Sequence, residues 1–217
     1  MRFDFLTLFP DICRTFLSES IIGRAEKKGY VEFYYHQIRD YAIDKHKRVD
    51  DTPYGGGKGM LMVAEPIAAC FESLCNTLKI RPKFIYMSPR GKVLNQEKIK
   101  ELSKLKNIAI LCGRYEGVDQ RVIESFVDDE VSIGNYVVTG GELPALVLAD
   151  SVTRLLPGVL SSEICYEDES HFDGKTIEYP QYTKPAVWRG MAVPEVLLTG
   201  HHANIAKWKN DMKEEYK

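Results

Sequence analysis

The stretch Asp50-Asp51-Thr52-Pro53-Tyr54-Gly55-Gly56-Gly57-Lys58-Gly59 brings acids, a tyrosine and glycines together. This is the composition of a loop whose backbone N–H groups can approach an anion or a base closely. Spacing excludes a Walker phosphate loop, which needs a glycine at the position of Thr52 and a hydroxyl at that of Gly59. The dinucleotide fingerprint fails as well, because Gly55 and Gly57 would require a further glycine where Met60 stands. A glycine run alone can be a flexible turn; the neighbouring acids and the Pro53-Tyr54 pair favour a binding loop. The basic run Lys45-His46-Lys47-Arg48 precedes it.

Two further glycine sites follow. Gly113-Arg114-Tyr115-Glu116-Gly117 comes directly after an apolar run at 108–112. The segment Ser132-Ile133-Gly134-Asn135-Tyr136-Val137-Val138-Thr139-Gly140-Gly141 comes directly before a helical pattern. Glycines at the carboxyl ends of parallel strands line the crevice in which α/β sheets bind ligands. Both segments are apolar and rich in backbone amides, which suits an adenine and a ribose better than a phosphate chain. One shared pocket is expected.

The elements that must position these loops alternate short apolar runs with helical patterns over the first 160 residues, the rhythm of a sheet with crossover helices. Strands are expected at 3–9, 31–37, 60–64, 83–87 and 108–112. Helices are expected at 18–28, 66–78, 118–126 and 142–156, with a further one capped by Asn95 and ending near Leu105. Such crossovers imply parallel pairing. The organisation expected is a catalytic domain at 1–160, a polar, turn-rich linker at 161–175 and a small helical domain at 176–217, too short to bury a core of its own.

Composition sets bounds. A 44% hydrophobic chain of 217 residues can build a sizeable core. No run approaches a membrane span, and Met1-Arg2-Phe3-Asp4 places an acid where a signal peptide needs apolar residues, so no membrane partner is expected. Five scattered cysteines without a C-x-x-C pair argue against a disulfide framework and a zinc knuckle, and suit a reducing cytoplasm. The formal net charge of −2 carries no case for nucleic acid. That case rests on the basic run near His46 and on the tail, where Lys184, Arg189, His201, His202, Lys207 and Lys209 mix with aromatics. Either cluster can equally be an ordinary solvated face.

Ten blocks in order carry a resemblance across nearly the whole chain. They are Asp50-Asp51-x-Pro53-Tyr54-Gly55-Gly56-Gly57-x-Gly59-Met60, Met87-Ser88-Pro89-x-Gly91, Cys112-Gly113-Arg114-Tyr115-Glu116-Gly117, Ser132-Ile133-Gly134-x-Tyr136, Gly140-Gly141-Glu142-Leu143-Pro144, Asp150-Ser151, Arg154, Pro157-Gly158-Val159-Leu160, Tyr179-Pro180-Gln181-Tyr182-Thr183, and Val193-Pro194-Glu195-Val196-Leu197-Leu198-x-Gly200-His201-His202. Together they resemble the bacterial tRNA (guanine-N1)-methyltransferases. The resemblance implies an α/β fold of the SPOUT class, a parallel sheet with a deep C-terminal trefoil knot, working as a homodimer. It implies that S-adenosyl-L-methionine is held by Met87, Ser88, Pro89, Gly113, Glu116, Ser132, Ile133, Gly134, Asn135, Tyr136, Val137, Val138, Gly140 and Gly141. The substrate implied is tRNA, methylated at N1 of the guanosine immediately 3′ of the anticodon, position 37, when another guanosine precedes it. His46, Asp50, Tyr54, Gly55, Gly59, Lys184, His201 and His202 are assigned to the RNA. Three departures stand out: Thr52 where the family usually has arginine, Lys58 where it has a small residue or proline, and Asn135 for a usual aspartate. Relatives also continue into a further basic helix beyond the equivalent of Trp208, which bears on RNA affinity.

Guanine N1 carries a proton and is a poor nucleophile until it is lost, and the charge then moves to O6. The reaction therefore asks for a carboxylate near N1 and a cationic donor near O6. By resemblance the donor is Arg154, whose guanidinium offers two hydrogen bonds in a fixed fork. The base falls in Glu167-Asp168-Glu169-Ser170: counting from Arg154 selects Glu169, residue type selects Asp168, and both stay open. The adjacent histidines lack further ligands at metal spacing, so no resident metal site is expected, although a divalent cation such as Mg2+ can assist. A relative modifying another base, or a non-catalytic RNA-binding protein of the same fold, is the alternative reading.

Overall fold

The computed structural model describes residues 1–160 and 169–215, which fall into two compact units on either side of the intervening segment. The first is built on β1 (Arg2–Thr7), β2 (Glu32–Gln37), β5 (Lys83–Val93), β6 (Asn107–Cys112) and β7 (Asp129–Ser132). These form one sheet in the order β2-β1-β6-β5-β7, every pair parallel.

The central strands β1 and β6 and the first limb of β5 bury both faces, which is why they read as near-continuous apolar runs. Phe3, Phe5, Ile85, Met87, Ile108, Ile110 and Cys112 face one layer, formed with α1 (Pro10–Leu17), α2 (Ser20–Lys27), α4 (Gln96–Leu102) and α6 (Glu142–Thr153). Leu6, Phe84, Tyr86, Ala109 and Leu111 face the other, with α3 (Ala64–Leu78) and α5 (Gln120–Phe126). There the Phe71 and Phe84 rings stack with centroids 4.0 Å apart. Helix starts follow local chemistry. Pro10 opens α1, the Asn95 side chain accepts from Lys98 N at 2.9 Å, and Asp119 accepts from Arg121 N at 2.9 Å.

One strand departs from regular geometry. β5 bends at 88–91, so that Met87 and Lys92 both pair with Val131 and β7 lies against both limbs of the bend. Gly91 permits the approach: a Cβ there would stand 2.5 Å from Val131 N.

Several expectations are corrected. The strand expected at 3–9 ends at Thr7, because Pro10 at once starts α1, a helix the sequence reading did not foresee. The strand expected at 60–64 shrinks to β4 (Leu61–Met62), which pairs antiparallel with β3 (Asp50–Asp51) outside the main sheet. The edge strand β7 was not expected, being short and acidic. Lys83 and Lys98 offset that acidity, lying 3.1 and 2.8 Å from Asp129.

The second unit pairs β8 (Thr176–Ile177) with β11 (Glu214–Glu215), and β9 (Val187–Trp188) with β10 (Met191–Ala192), both antiparallel. The tail expected as helices thus contains, among the described residues, one α-helix, α7 (His202–Asp211), beside two short ribbons and a 3-10 turn at Glu195–Leu198. The signal for the β9-β10 ribbon is Arg189-Gly190, whose φ values of 50° and 82° form the tight turn that joins twisted strands. Tyr179 and Tyr182 pack near Trp208, with centroids 6.4 and 6.3 Å away. No described helix is long and apolar enough to cross a membrane.

Candidate functional site

The second and third glycine segments meet at the carboxyl ends of β5, β6 and β7 and enclose a cleft of about 530 Å³. Gly141 N donates to Gly113 O at 2.8 Å and ties one segment to the other. Close packing over each α-carbon, by a side chain at one and by backbone at the other, explains both glycines. A Cβ on Gly113 would meet the Tyr86 ring at 2.8 Å, and one on Gly141 would meet Cys112 Cα at 2.7 Å. The Ser132 hydroxyl donates to Gly134 O at 2.8 Å and accepts from Gly134 N at 3.2 Å, which fixes the turn below the cleft.

Of the residues expected to hold a cofactor, Met87, Ser88, Pro89, Gly113, Glu116, Ser132, Ile133, Tyr136, Val137, Val138, Gly140 and Gly141 line this cleft, whereas Gly134 and Asn135 do not. Sequence reasoning missed Tyr86, Arg114 and Glu130, which also line it. Burial, the largest influence, pushes the Tyr86 hydroxyl up to about 12; the Glu130 charge adds to this and Arg90 opposes it. Tyr86 is therefore a neutral hydrogen-bonding wall at physiological pH.

Arg114 leaves the cleft edge and turns inward. Its Nε lies 3.0 Å from Glu142 Oε2 in an ion pair rather than an aligned hydrogen bond. Its Nη1 donates to Thr139 O at 3.3 Å, and the guanidinium carbon stands 4.4 Å from the Phe9 ring centroid. The other oxygen of Glu142 accepts from the Thr7 hydroxyl at 2.7 Å. The cation is thereby held beneath the 139–141 backbone by one hydrogen bond, one ion pair and the Phe9 ring.

The first glycine loop borders the cleft without lining it. His46, Tyr54, Gly55 and Gly59 are exposed, and Asp50 sits in β3 opposite Met62. At its root Glu116 N donates to Met60 O at 3.0 Å, and the Glu116 side chain covers the Gly59 α-carbon. In the second unit Lys184 is exposed, as are His201, the N-cap of α7, and His202, its first residue.

Arg154 caps the C-terminus of α6, while Pro144, in the first turn of that helix, lines the cleft. Ten residues of helix put them roughly 15 Å apart, and Arg154 is not among the lining residues of its own unit. Leu143, Val147, Asp150 and Arg154 share one stripe of α6 by helical spacing, and the two apolar members are exposed. Burial pushes the Asp150 carboxyl up, partly offset by the Arg154 charge. Of the two base candidates, Glu169 is half-buried in the second unit, and Asp168 lies outside the described residues. Among the described residues no group of three or more His, Cys, Asp or Glu is arranged to hold a metal ion.

The chain matches the family model described as tRNA (Guanine-1)-methyltransferase TrmD over residues 1–216. It is 58% identical over 209 residues to a tRNA (guanine-N(1)-)-methyltransferase of Ruminiclostridium cellulolyticum, covering 96% of this chain and 89% of that protein. To the protein of the same description from Clostridioides difficile it is 49% identical over 212 residues, covering 97% and 91%. The crystal structure of tRNA (m1G37) methyltransferase from Aquifex aeolicus is similar with a TM-score of 0.82 and 42% identity, covering 96% of this chain and 87% of that one. Glycine segments meeting at the strand ends, a parallel sheet and a match along almost every residue lead to one conclusion: the chain belongs to the TrmD family of tRNA (guanine-1)-methyltransferases.

Proposed function

We propose that the protein transfers the methyl group of S-adenosylmethionine to N1 of the guanosine at position 37 of tRNA, as a cytoplasmic homodimer with a knotted catalytic unit. The observation that carries the reading is the cleft in which the 113–117 and 132–141 segments face each other, in a chain matched to its family from residue 1 to 216.

The walls fit the proposed cofactor. Gly113, Gly140 and Gly141 offer backbone without side chains in the way, and Ile133, Val137, Val138 and Pro144 offer apolar surface for an adenine. When bound, S-adenosylmethionine supplies an electrophilic methyl on a sulfonium. The protein's own part is positioning and proton transfer. Arg154 donates to guanine O6 and stabilises the charge that develops there, and Asp168 or Glu169 accepts the N1 proton.

The separation of Arg154 from the cleft supports a dimer in which each cleft receives Arg154 from the partner subunit. The exposed Leu143-Val147 stripe on α6 and the exposed Ile12 and Phe16 on α1, which packs beside it, support the same face as the interface. The bend of β5 around β7 supports the knot. His46, Asp50, Tyr54, Gly55, Gly59, Lys184, His201 and His202 remain assigned to RNA.

The test uses labelled S-adenosylmethionine and tRNA transcripts. A transcript with guanosines at positions 36 and 37 should be methylated at N1 of the second, and one with adenosine at 37 should not. Label at another nucleotide, or equal label in both, would overturn the assignment.

A further inference from the structure

Three of the four glycines in the first glycine loop share nearly the same φ: 82° at Gly55, 79° at Gly56 and 83° at Gly59. A turn of left-handed conformation accounts for glycine at each, but their surroundings differ. A Cβ on Gly55 or Gly56 would meet nothing within 4 Å. A Cβ on Gly59 would stand 2.5 Å from Cγ, 2.6 Å from Oε1 and 2.9 Å from Cδ of Glu116. The glutamate side chain thus lies across the bare α-carbon, and Glu116 lines the cleft.

The backbone on both sides of this contact is tied down. Glu116 N donates to Met60 O at 3.0 Å, Met62 N to Gly117 O at 2.9 Å, and Asp119 N to Met62 O at 3.0 Å. Neither backbone can yield easily, whereas Glu116 is an exposed, flexible side chain. A methyl at position 59 is therefore accommodated by swinging the carboxylate away from its place at the cleft, on top of the backbone strain that a φ of 83° imposes on any side chain.

We propose that Gly59 is a positioning residue that acts through Glu116: its bare α-carbon is the seat that holds the Glu116 carboxylate in the cleft, joining the RNA-side loop to the cofactor site. This rests on the cleft's binding S-adenosylmethionine, as proposed above. Gly59 is thereby assigned a task besides touching RNA.

Calorimetric affinity for S-adenosylmethionine, measured on the full chain, tests it. Gly56→Ala carries a similar positive-φ strain without the collision and should change affinity by less than about twofold. Gly59→Ala should weaken it by about tenfold while melting close to Gly56→Ala, since small displacements of a binding group cost this much or more. In a Glu116→Ala background, Gly59→Ala should add less than about twofold, the non-additivity of residues acting as one unit. If Gly59→Ala alone does not fold, the double variant decides, and it should fold and bind as Glu116→Ala does. Equal losses in both backgrounds, equal losses for Gly56→Ala and Gly59→Ala, or unchanged affinity in Gly59→Ala would overturn the proposal. No binding by the unaltered protein would instead overturn the cofactor assignment beneath it.

Discussion

Arg114 and Glu142 meet at 3.0 Å under the 139–141 backbone, with the carboxylate only 2% exposed. The pair binds the loop after β6 to the start of α6, and through Thr7 it reaches the end of β1. One carboxylate thus ties two elements that shape the cleft to the end of β1.

Glu142→Gln keeps the size of the side chain but leaves the guanidinium without its counter-charge in a largely buried place. The expected cost is about 1–2 kcal/mol, a melting temperature lower by roughly 3–6 °C. Weaker S-adenosylmethionine binding should accompany it. Calorimetry and thermal unfolding check both, and unchanged cofactor affinity would separate the ion pair from the cleft.

Arg154→Ala should lower the methylation rate by about a hundredfold or more, the scale of losing one preorganised donor to a developing charge, while calorimetric cofactor affinity stays near that of the unaltered protein. Loss of cofactor binding in a folded variant would move Arg154 into the cofactor's own contacts. Of Asp168→Asn and Glu169→Gln, at least one should be slowed as severely. Two nearly normal variants would reject a base in this segment.

The proposed partner-chain position of Arg154 makes a genetic prediction. Gly113→Trp blocks the cleft, since even a Cβ there meets Tyr86 at 2.8 Å. Co-refolded with Arg154→Ala, it should yield heterodimers in which one site collects both defects and the other none. Random mixing then restores roughly a quarter of full activity for independent sites. Heterodimers verified by mass spectrometry yet inactive would mean that each site is built within one subunit.

Asp4, fully buried in β1, accepts from Arg2 at 2.8 and 2.7 Å and contacts His36 Nε2 at 2.8 Å. Burial, the largest influence, pushes its carboxyl up, but the hydrogen bonds and charges of Arg2 and His36 together outweigh it and hold the group below its ordinary 3.8. A depressed folded-state value contributes stability that is fully present above the unfolded value and lost as pH falls through the folded one. Asp4→Asn should cost about 2 kcal/mol at neutral pH and flatten the fall in melting temperature below pH 4. An unchanged acid limb in a pH series of thermal unfolding would remove Asp4 from that role.

The alternation of strands and helices was legible because both sheet faces are buried, so each strand announces itself as an apolar run. β7 escaped that logic: Asp129-Glu130-Val131-Ser132 carries two acids, and its partner lysines lie on β5 and α4, far away in sequence. The glycine segments were legible as cleft walls, the first of the two from its place after a strand and the second from its place before a helix. What each glycine accommodates was not, because Tyr86 under Gly113 and Glu116 over Gly59 are neighbours only in space. Arg114 and Glu142 stood within recognised motifs, yet their pairing across 28 positions leaves no periodic trace. The distance of Arg154 from the cleft is a property of helix rise, readable once the limits of α6 are known.

Helix α6 runs from Glu142 to Thr153 with Arg154 as its cap, and it works as a gauge of fixed length. Inserting one residue rotates everything beyond it by about 100° and advances it by about 1.5 Å. Arg154 would leave the stripe it shares with Leu143, Val147 and Asp150 and turn toward a different neighbour. Substitutions along the helix change its packing by degrees, whereas a single insertion or deletion redirects its far end outright.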